Sequence, residues 1–246
     1  MALGLTSVTF RKLSADEIIL LAYRAGCEVI EWGGDIHVTN KAQALDVRRK
    51  CRDKGIGINS YGSYFRIGQG EPNEFEFLCE ITKTLGAKVI RVWLGDKGSS
   101  NTDREQFENL AARVETLADT AKKFGLIIAF EFHKGTYNDT CESSLRFLRK
   151  VGRDNVKTYW QPFFAGRDIK NLKGVIENTA IVHMFNWSRL GARYSLERGE
   201  KKIKEFLSIL KANEYTGDII LEFVKGDNPE NFLNDFSYLK QWYTNV

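Results

Sequence analysis

The pattern of hydrophobic and polar positions alternates between two periodicities along the chain. Short runs rich in β-branched and aromatic residues are typical of strands, and between them apolar residues recur at helical spacing, as in the stretch 103–124. The order is strand then helix, eight times over. The predicted strands lie near residues 5–10, 27–32, 56–61, 88–94, 126–132, 155–160, 179–185 and 218–223.

Local signals mark the ends of the predicted helices. Ser14 and Glu17 have the spacing of a capping box, in which each side chain satisfies a free backbone amide of the other residue. Several glycines stand where a helix ends and a strand follows, and such positions favour a left-handed residue. These glycines are Gly26, Gly55, Gly86, Gly125 and Gly217.

Eight strand–helix units predict a single (β/α)8 TIM barrel spanning residues 1–246. Each unit would have about 31 residues, which suits a parallel strand with its crossover helix. The chain has only three prolines and no Ser/Gly-rich linker that would divide it. A doubly wound open sheet is the competing architecture, but the segment 7–11 lacks the Gly-rich phosphate turn expected after its first strand.

Composition narrows the setting in which the protein works. The apolar runs are too short to span a bilayer, so we expect no membrane association. No basic segment precedes the apolar N-terminus, so a signal peptide is not indicated and a cytoplasmic protein is expected. The net charge of +4 is scattered, which argues against a nucleic-acid partner. The four cysteines form no CxxC pair and are predicted to be buried thiols.

Candidate chemistry gathers at the predicted C-terminal ends of the strands, where barrels of this type carry their functional groups. The polar residues at these ends are Glu31, Glu131, His133, Gln161, His183 and Glu222. A buried glutamate costs several kcal/mol unless it is paired, hydrogen-bonded or metal-bound. The pattern therefore predicts a metal or acid–base site. Hydrogen-bond anchors at the barrel rim are the alternative.

Several fragments, in this order along the chain, resemble the xylose isomerase-like barrels of the AP endonuclease family 2 superfamily. Within these barrels the similarity is to the sugar-phosphate isomerase/epimerase group. The fragments are 4–8, 30–35, 90–93, Glu131-Phe132-His133, the strand around His183, and Leu221-Glu222-Phe223.

The resemblance implies one divalent metal ion bound by Glu131, Gln161, His183 and Glu222. Gln161 departs from the family pattern, which has an aspartate there, and Phe164 stands where a histidine is frequent. A neutral amide oxygen can still bind a cation, but it removes one negative charge, so metal affinity should fall. Mixed oxygen and nitrogen ligands suit Mn²⁺, Mg²⁺, Co²⁺ or Zn²⁺.

The resemblance further implies an isomerase or epimerase of a small sugar, ketose or sugar-like polyol, with or without a phosphate. Glu131 and Glu222 are the predicted catalytic residues: one carboxylate removes the proton next to the carbonyl, and the other returns it after an enediolate. Because dimers are common in the group, the resemblance also leads us to expect a homodimer.

Other residues are predicted to bind the carbohydrate substrate. Aromatic rings at strand ends could stack on a sugar or could simply fill the core, and cations in the strand–helix loops could hold a phosphate or carboxylate or remain solvated. The candidate rings are Trp32, Tyr61, Tyr64, Trp93, Trp160 and Trp187. The loop cations are Arg66, Lys134, Arg189, Arg193 and Lys225. The predicted substrate-binding set is Glu31, His37, Tyr61, Arg66, Trp93, His133, Trp160, Trp187 and Arg193.

Three rival functions remain open at this level. A metal-dependent dehydratase of a cyclic polyol or keto-acid would use the same two carboxylates. A non-catalytic sugar-binding barrel that has lost its metal is suggested by Gln161. An abasic-site endonuclease is disfavoured, because that chemistry uses a histidine-rich zinc cluster and the chain has only three histidines.

Overall fold

A computed structural model describes residues 1–163, 166–188 and 190–246. It has eight parallel strands that close into a barrel in sequence order, with β8 paired to β1. The (β/α)8 prediction is confirmed. Within the described residues, no helix is both long enough and apolar enough to cross a bilayer.

The strands and helices alternate through the chain. The strands are β1 Leu3–Thr6, β2 Val29–Gly33, β3 Gly57–Ile67, β4 Val89–Leu94, β5 Ile127–Phe130, β6 Val156–Trp160, β7 Thr179–Met184 and β8 Asp218–Leu221. The helices are α1 Ala15–Ala25, α2 Lys41–Asp53, α3 Pro72–Leu85, α4 Arg104–Lys123, α5 Cys141–Val151, α6 Asp168–Val175, α7 Glu200–Ala212 and α8 Pro229–Asn245.

The core has two layers because successive strand residues point to opposite faces. A small cluster fills the barrel interior, and a much larger one lies between the strands and the surrounding helices. The interior cluster contains Val89, Ala129, Tyr159, Ile181 and Ile220. It closes the barrel below its C-terminal mouth, so polar residues further along the same strands face the mouth.

The predicted helix signals are mostly confirmed. Ser14 and Glu17 form the capping box of α1. Gly26, Gly55, Gly86 and Gly125 have positive φ, but Gly217 does not, and the prediction for it was wrong. Gly217 is needed for space instead, because a Cβ there would lie 2.3 Å from the carbonyl oxygen of Ala180.

The observed strand ends lie within two residues of the predicted ones except at the C-terminal ends of β1 and β3, and both of these differences shape the mouth. β1 ends at Thr6, and the predicted remainder forms a short 3-10 helix, Ser7–Phe10. β3 continues to Ile67, with its register against β4 shifted between Gly62 and Arg66. Tyr64 in that irregular stretch has φ of 59°, a strained value for a residue with a side chain. The four cysteines are free and buried, as predicted.

Candidate metal and active site

Three of the predicted metal ligands meet at the barrel mouth. One ligand atom each from Glu131, His183 and Glu222 can be chosen so that all lie within 4.8 Å of one another, and all three residues are buried. Glu131 and Glu222 follow the last residues of β5 and β8, while His183 lies near the end of β7. Residues far apart in the sequence therefore form one group, because the barrel brings the C-terminal ends of its strands to the same rim.

The ring of His183 is oriented from beneath by Glu31. Nε2 faces Glu31 Oε1 at 3.2 Å, while Nδ1 lies 3.2 Å from Glu222 Oε2. Burial disfavours the charged ring, but the two carboxylates outweigh it and raise the pKa of His183 to about 10. A metal bound at Nδ1 must therefore displace a proton, as is usual for histidine ligands, and Glu31 would keep Nε2 as the protonated nitrogen.

Glu31 is itself held by several donors inside the barrel. Thr6 Oγ1 donates to Oε1 at 3.0 Å, and Ser60 Oγ and Tyr159 Oη donate to Oε2 at 2.9 Å each. Burial opposes ionisation, but Arg91 and His183 lower the pKa of Glu31 well below its usual range. Its role here is that of a buried anion supporting His183.

Glu131 is fixed in its ionised form by a buried arginine. Arg91 Nη1 and Trp93 Nε1 both donate to Glu131 Oε2, and Arg91 also pairs with Glu31 at 3.3 Å. Burial favours the neutral acid, but Arg91, His183 and the other donors lower the pKa of Glu131. Gly62 makes room for this arrangement, because a Cβ there would lie 2.5 Å from Arg91 Nη2.

Gln161 completes the group with an amide. Its Nε2 donates to the carbonyl oxygen of Phe132 at 2.8 Å and approaches Glu131 Oε1 at 3.4 Å. These contacts turn the amide oxygen of Gln161, Oε1, toward His183 Nδ1, which lies 3.3 Å away. Gln161 thus presents an oxygen to the space shared by the other three residues.

A divalent cation fits these four residues. Two carboxylates, an imidazole nitrogen and an amide oxygen form a mixed donor set that Mn²⁺, Mg²⁺, Co²⁺ and Zn²⁺ all accept. The close approach of three buried donors to one another, with a third carboxylate, that of Glu31, behind the imidazole, is the arrangement expected around a metal.

An aromatic collar surrounds the mouth from β3 to β8. Neighbouring rings in it have centroids 5.2 to 6.4 Å apart. The collar consists of Tyr64, Trp93, His133, Phe163, Trp187 and Phe223. Such a rim offers flat apolar faces around a polar centre, which suits a molecule with hydroxyl groups on an apolar carbon frame.

Arginines stack against the collar. The Arg66 guanidinium lies 4.3 Å from the Trp93 ring and donates to the carbonyl oxygen of Gly95. Arg193 lies 4.2 Å from the Phe223 ring, and its charge is paired with Asp227. These predicted substrate contacts are therefore at the rim, where they also hold the rings in place.

His133 remains a predicted substrate contact. Its ring is sandwiched between Trp93 and Phe163. Nδ1 lies 2.7 Å from the carbonyl oxygen of Lys134, so Nε2 is the unprotonated nitrogen when the ring is neutral.

Four of the residues predicted to contact substrate do not face the mouth. Tyr61 and Trp160 point outward from the barrel: Tyr61 Oη donates to the carbonyl oxygen of Val38, and Trp160 packs on Phe206 of α7. They follow inward-facing strand neighbours, so alternation turns them into the outer layer.

His37 and Glu31 are also displaced from the mouth. Both ring nitrogens of His37 are used, at 3.0 Å from Ser7 Oγ and 3.2 Å from the carbonyl oxygen of Leu13. Glu31 is fully buried beneath His183, with both oxygens accepting hydrogen bonds. The predictions about Phe164 and Arg189 concern positions outside the described residues.

Sequence reasoning missed Arg91 and two members of the collar. Arg91 lies within an otherwise apolar strand, and its isolated charge was the signal that it needed a buried partner. Phe163 comes two residues after Gln161, and Phe223 comes directly after Glu222. Their nearness in sequence to these predicted metal ligands was the available signal.

Comparison with known proteins places the barrel in context. The profile of a family described as xylose isomerase-like TIM barrel matches residues 19–242. A 3-dehydroshikimate dehydratase from Bacillus anthracis is 25% identical over 170 residues. That match covers 64% of this chain and 60% of the relative, so the chain spans less than two thirds of the relative's length.

Two solved structures are similar over almost their whole length. A probable 3-DHS dehydratase from Bacillus anthracis superimposes with a TM-score of 0.81 at 19% identity, covering 98% of this chain and 99% of the other. A D-psicose 3-epimerase from Clostridium cellulolyticum H10 superimposes with a TM-score of 0.80 at 14% identity, covering 99% of each. At these identities the superpositions establish the fold alone.

Proposed function

This chain belongs to the xylose isomerase-like TIM barrel family, and we propose that it is an isomerase or epimerase of a small sugar or sugar-like polyol. The observation that carries the proposal is the pair of buried carboxylates, Glu131 and Glu222, whose oxygens lie within 4.8 Å at the mouth. Proton removal and proton return require two such carboxylates that both reach the same small substrate.

In this proposal the aromatic collar and the two glutamates have different roles. The aromatic collar orients the carbon frame of the substrate and limits the access of water. One of the two glutamates takes the proton from the carbon next to the carbonyl, and the other returns it. Return to the neighbouring carbon gives isomerisation, whereas return to the opposite face of the same carbon gives epimerisation.

The surrounding charges favour this transfer. Arg91 and Trp93 hold one oxygen of Glu131, so that its carboxylate is kept ionised and fixed in direction. A divalent cation held by Glu131, Gln161, His183 and Glu222 would supply positive charge that stabilises the enediolate.

Dehydration of a cyclic keto-acid or polyol is the second candidate. The match to a 3-dehydroshikimate dehydratase over 64% of the chain favours it. The same two carboxylates would then remove a proton next to the carbonyl and assist the departure of water. A non-catalytic sugar-binding barrel is less well supported, because four polar groups still converge on one point of the mouth.

The test is turnover of D-psicose, D-tagatose and 3-dehydroshikimate by wild-type protein supplied with Mn²⁺, Co²⁺ or Mg²⁺. Product analysis by NMR in D₂O separates the reactions, because epimerisation and isomerisation incorporate deuterium into a sugar, whereas dehydration forms a conjugated, ultraviolet-absorbing product. For the substrate that reacts, Glu131→Gln and Glu222→Gln should each lower the rate at least ~100-fold.

Glu105→Gln serves as the matched control, because Glu105 is exposed on α4. The Glu105→Gln variant should turn over the substrate at the wild-type rate. Near-normal rates in both mouth variants would exclude the proposed roles of the two glutamates.

A further inference from the structure

A second cavity opens beside the mouth, between the ends of β6 and β7 and the helices α6 and α7. Its volume is about 600 Å³, within the range of small-molecule sites. Phe163 and Trp187 of the aromatic collar belong to its wall, so the cavity adjoins the candidate active site. Pro162 and Lys134 in the same wall directly follow Gln161 and His133 in sequence.

The charge of this cavity is strongly one-sided. Three cations line it, Lys134, Arg167 and Lys202, against the single carboxylate of Asp168 among the lining residues that the structure describes. None of the three cations forms an ion pair with another described residue, whereas Lys204, two residues further along α7, pairs with Glu200. Lys134 and Arg167 are exposed, where an unpaired cation is ordinary.

Lys202 is different because it is partly buried. Burial lowers the pKa of Lys202, and Asp168 only partly counteracts this. Holding a half-buried ammonium without an ion pair costs stability, and a bound anion would offset that cost. The aromatic wall makes the cavity less polar, which strengthens an ion pair formed inside it.

We propose that this cavity is the subsite for the anionic end of the substrate, a carboxylate or a phosphate monoester carried on the carbon frame that the two glutamates act on. The assignment rests on the proposed function, since it takes the neighbouring mouth as the reaction centre. It narrows the substrate class from neutral sugars to acidic sugars, sugar phosphates and keto-acids.

The experiment measures anion binding separately from turnover. Inorganic phosphate, glycerol 3-phosphate and glycerate are titrated into the full-length protein, with binding followed by calorimetry and by tryptophan fluorescence, to which Trp187 in the wall contributes. Lys202→Met removes the partly buried cation and keeps most of the side-chain volume. Lys201→Met is the matched control, because Lys201 is the sequence neighbour of Lys202 and its side chain is exposed.

Saturable binding of at least one of these anions is expected, weakened at least ~10-fold in Lys202→Met and unchanged in Lys201→Met. Lys134→Ala should also weaken binding of the same anion. Because Lys134 is exposed, this variant tests the subsite even if Lys202→Met folds poorly. Tighter binding of glycerol 3-phosphate than of glycerate would identify the phosphate as the group recognised, and the reverse order would identify the carboxylate.

Absence of saturable anion binding in the wild type, or equal loss in Lys202→Met and Lys201→Met, would overturn the subsite. Metal binding by the same variants, measured with Mn²⁺, keeps this result distinct from failure of the proposed function. Lys202 is outside the metal group, so its substitution should leave Mn²⁺ affinity unchanged. Glu222→Gln should abolish Mn²⁺ binding and leave the anion subsite intact.

Discussion

At the scale of single residues, the site depends on which charges are paired. Arg91 lies between two buried carboxylates, Glu31 and Glu131, and contacts both. Glu31 in turn faces His183. A lone buried carboxylate would be neutralised by protonation, so these contacts explain how anions persist inside the barrel.

Gln161 is the residue at which the charge of the metal group can be changed most directly. Gln161→Asp adds a negative charge to the four donors, so Mn²⁺ should bind about 10-fold tighter than to Gln161→Asn, measured by calorimetry. Gln161→Asn is the proper reference, because asparagine matches the length of aspartate without its charge. Equal or weaker binding by Gln161→Asp would mean that position 161 does not contact the metal.

At the scale of elements, alternation along each strand decides which side chains reach the mouth. Trp93 and Trp160 both belong to strands, yet only Trp93 contacts Glu131, while Trp160 packs under α7. The first residue after a strand also faces the mouth in β5 and β8, where it is Glu131 and Glu222.

Helix α8 is joined to the segment before α7 by a buried carboxylate. Asp235 accepts a hydrogen bond from the backbone N–H of Leu196 at 2.8 Å. Burial, opposed by that hydrogen bond, raises the pKa of Asp235 to about 6. The folded state therefore binds this proton more tightly than the unfolded state, and stability falls as the pH rises from about 4 to about 6.

Asp235→Asn should remove this cost. We expect the variant to be more stable than the wild type by about 1 kcal/mol at pH 7.5, and by much less at pH 4, in urea unfolding. Glu230→Gln, at an exposed position of the same helix, should show no such dependence on pH. A gain of the same size at both pH values would disprove the assignment to Asp235.

At the scale of the whole molecule, metal binding should couple to the stability of the barrel. His183 lies in β7, and the other three ligands directly follow β5, β6 and β8, so the ion would join four strand ends. These positions come together only in the folded state, and a cation bound there stabilises the fold by mass action.

Mn²⁺ at 100 times its dissociation constant should stabilise the protein by ~2.7 kcal/mol and raise Tm by roughly 5–10 °C relative to protein in EDTA. Differential scanning calorimetry provides the measurement. Glu222→Gln should lose most of the shift. If Mn²⁺ raised Tm equally in that variant, the stabilisation would come from another site.

Much of the fold was predictable from the sequence because its signals are local. Strand runs, helix caps and chain length require only neighbouring residues, and they were enough for the closed barrel and for Glu131, His183 and Glu222 at its mouth. The bounds of β1 and β3 were less accurate, because the bend after Thr6 and the register shift before Arg66 depend on pairing with other strands.

The sequence by itself determined the alternating architecture and the polar residues at the strand ends, since periodicity and turn chemistry are written in consecutive positions. Only the tertiary structure decided which residues share the mouth. It placed Arg91 between two carboxylates, turned Tyr61 and Trp160 outward, and set Lys202 beside the collar without an ion pair to any described residue. These outcomes depend on contacts between residues far apart in the chain, whose distances and charges exist only after the barrel has closed.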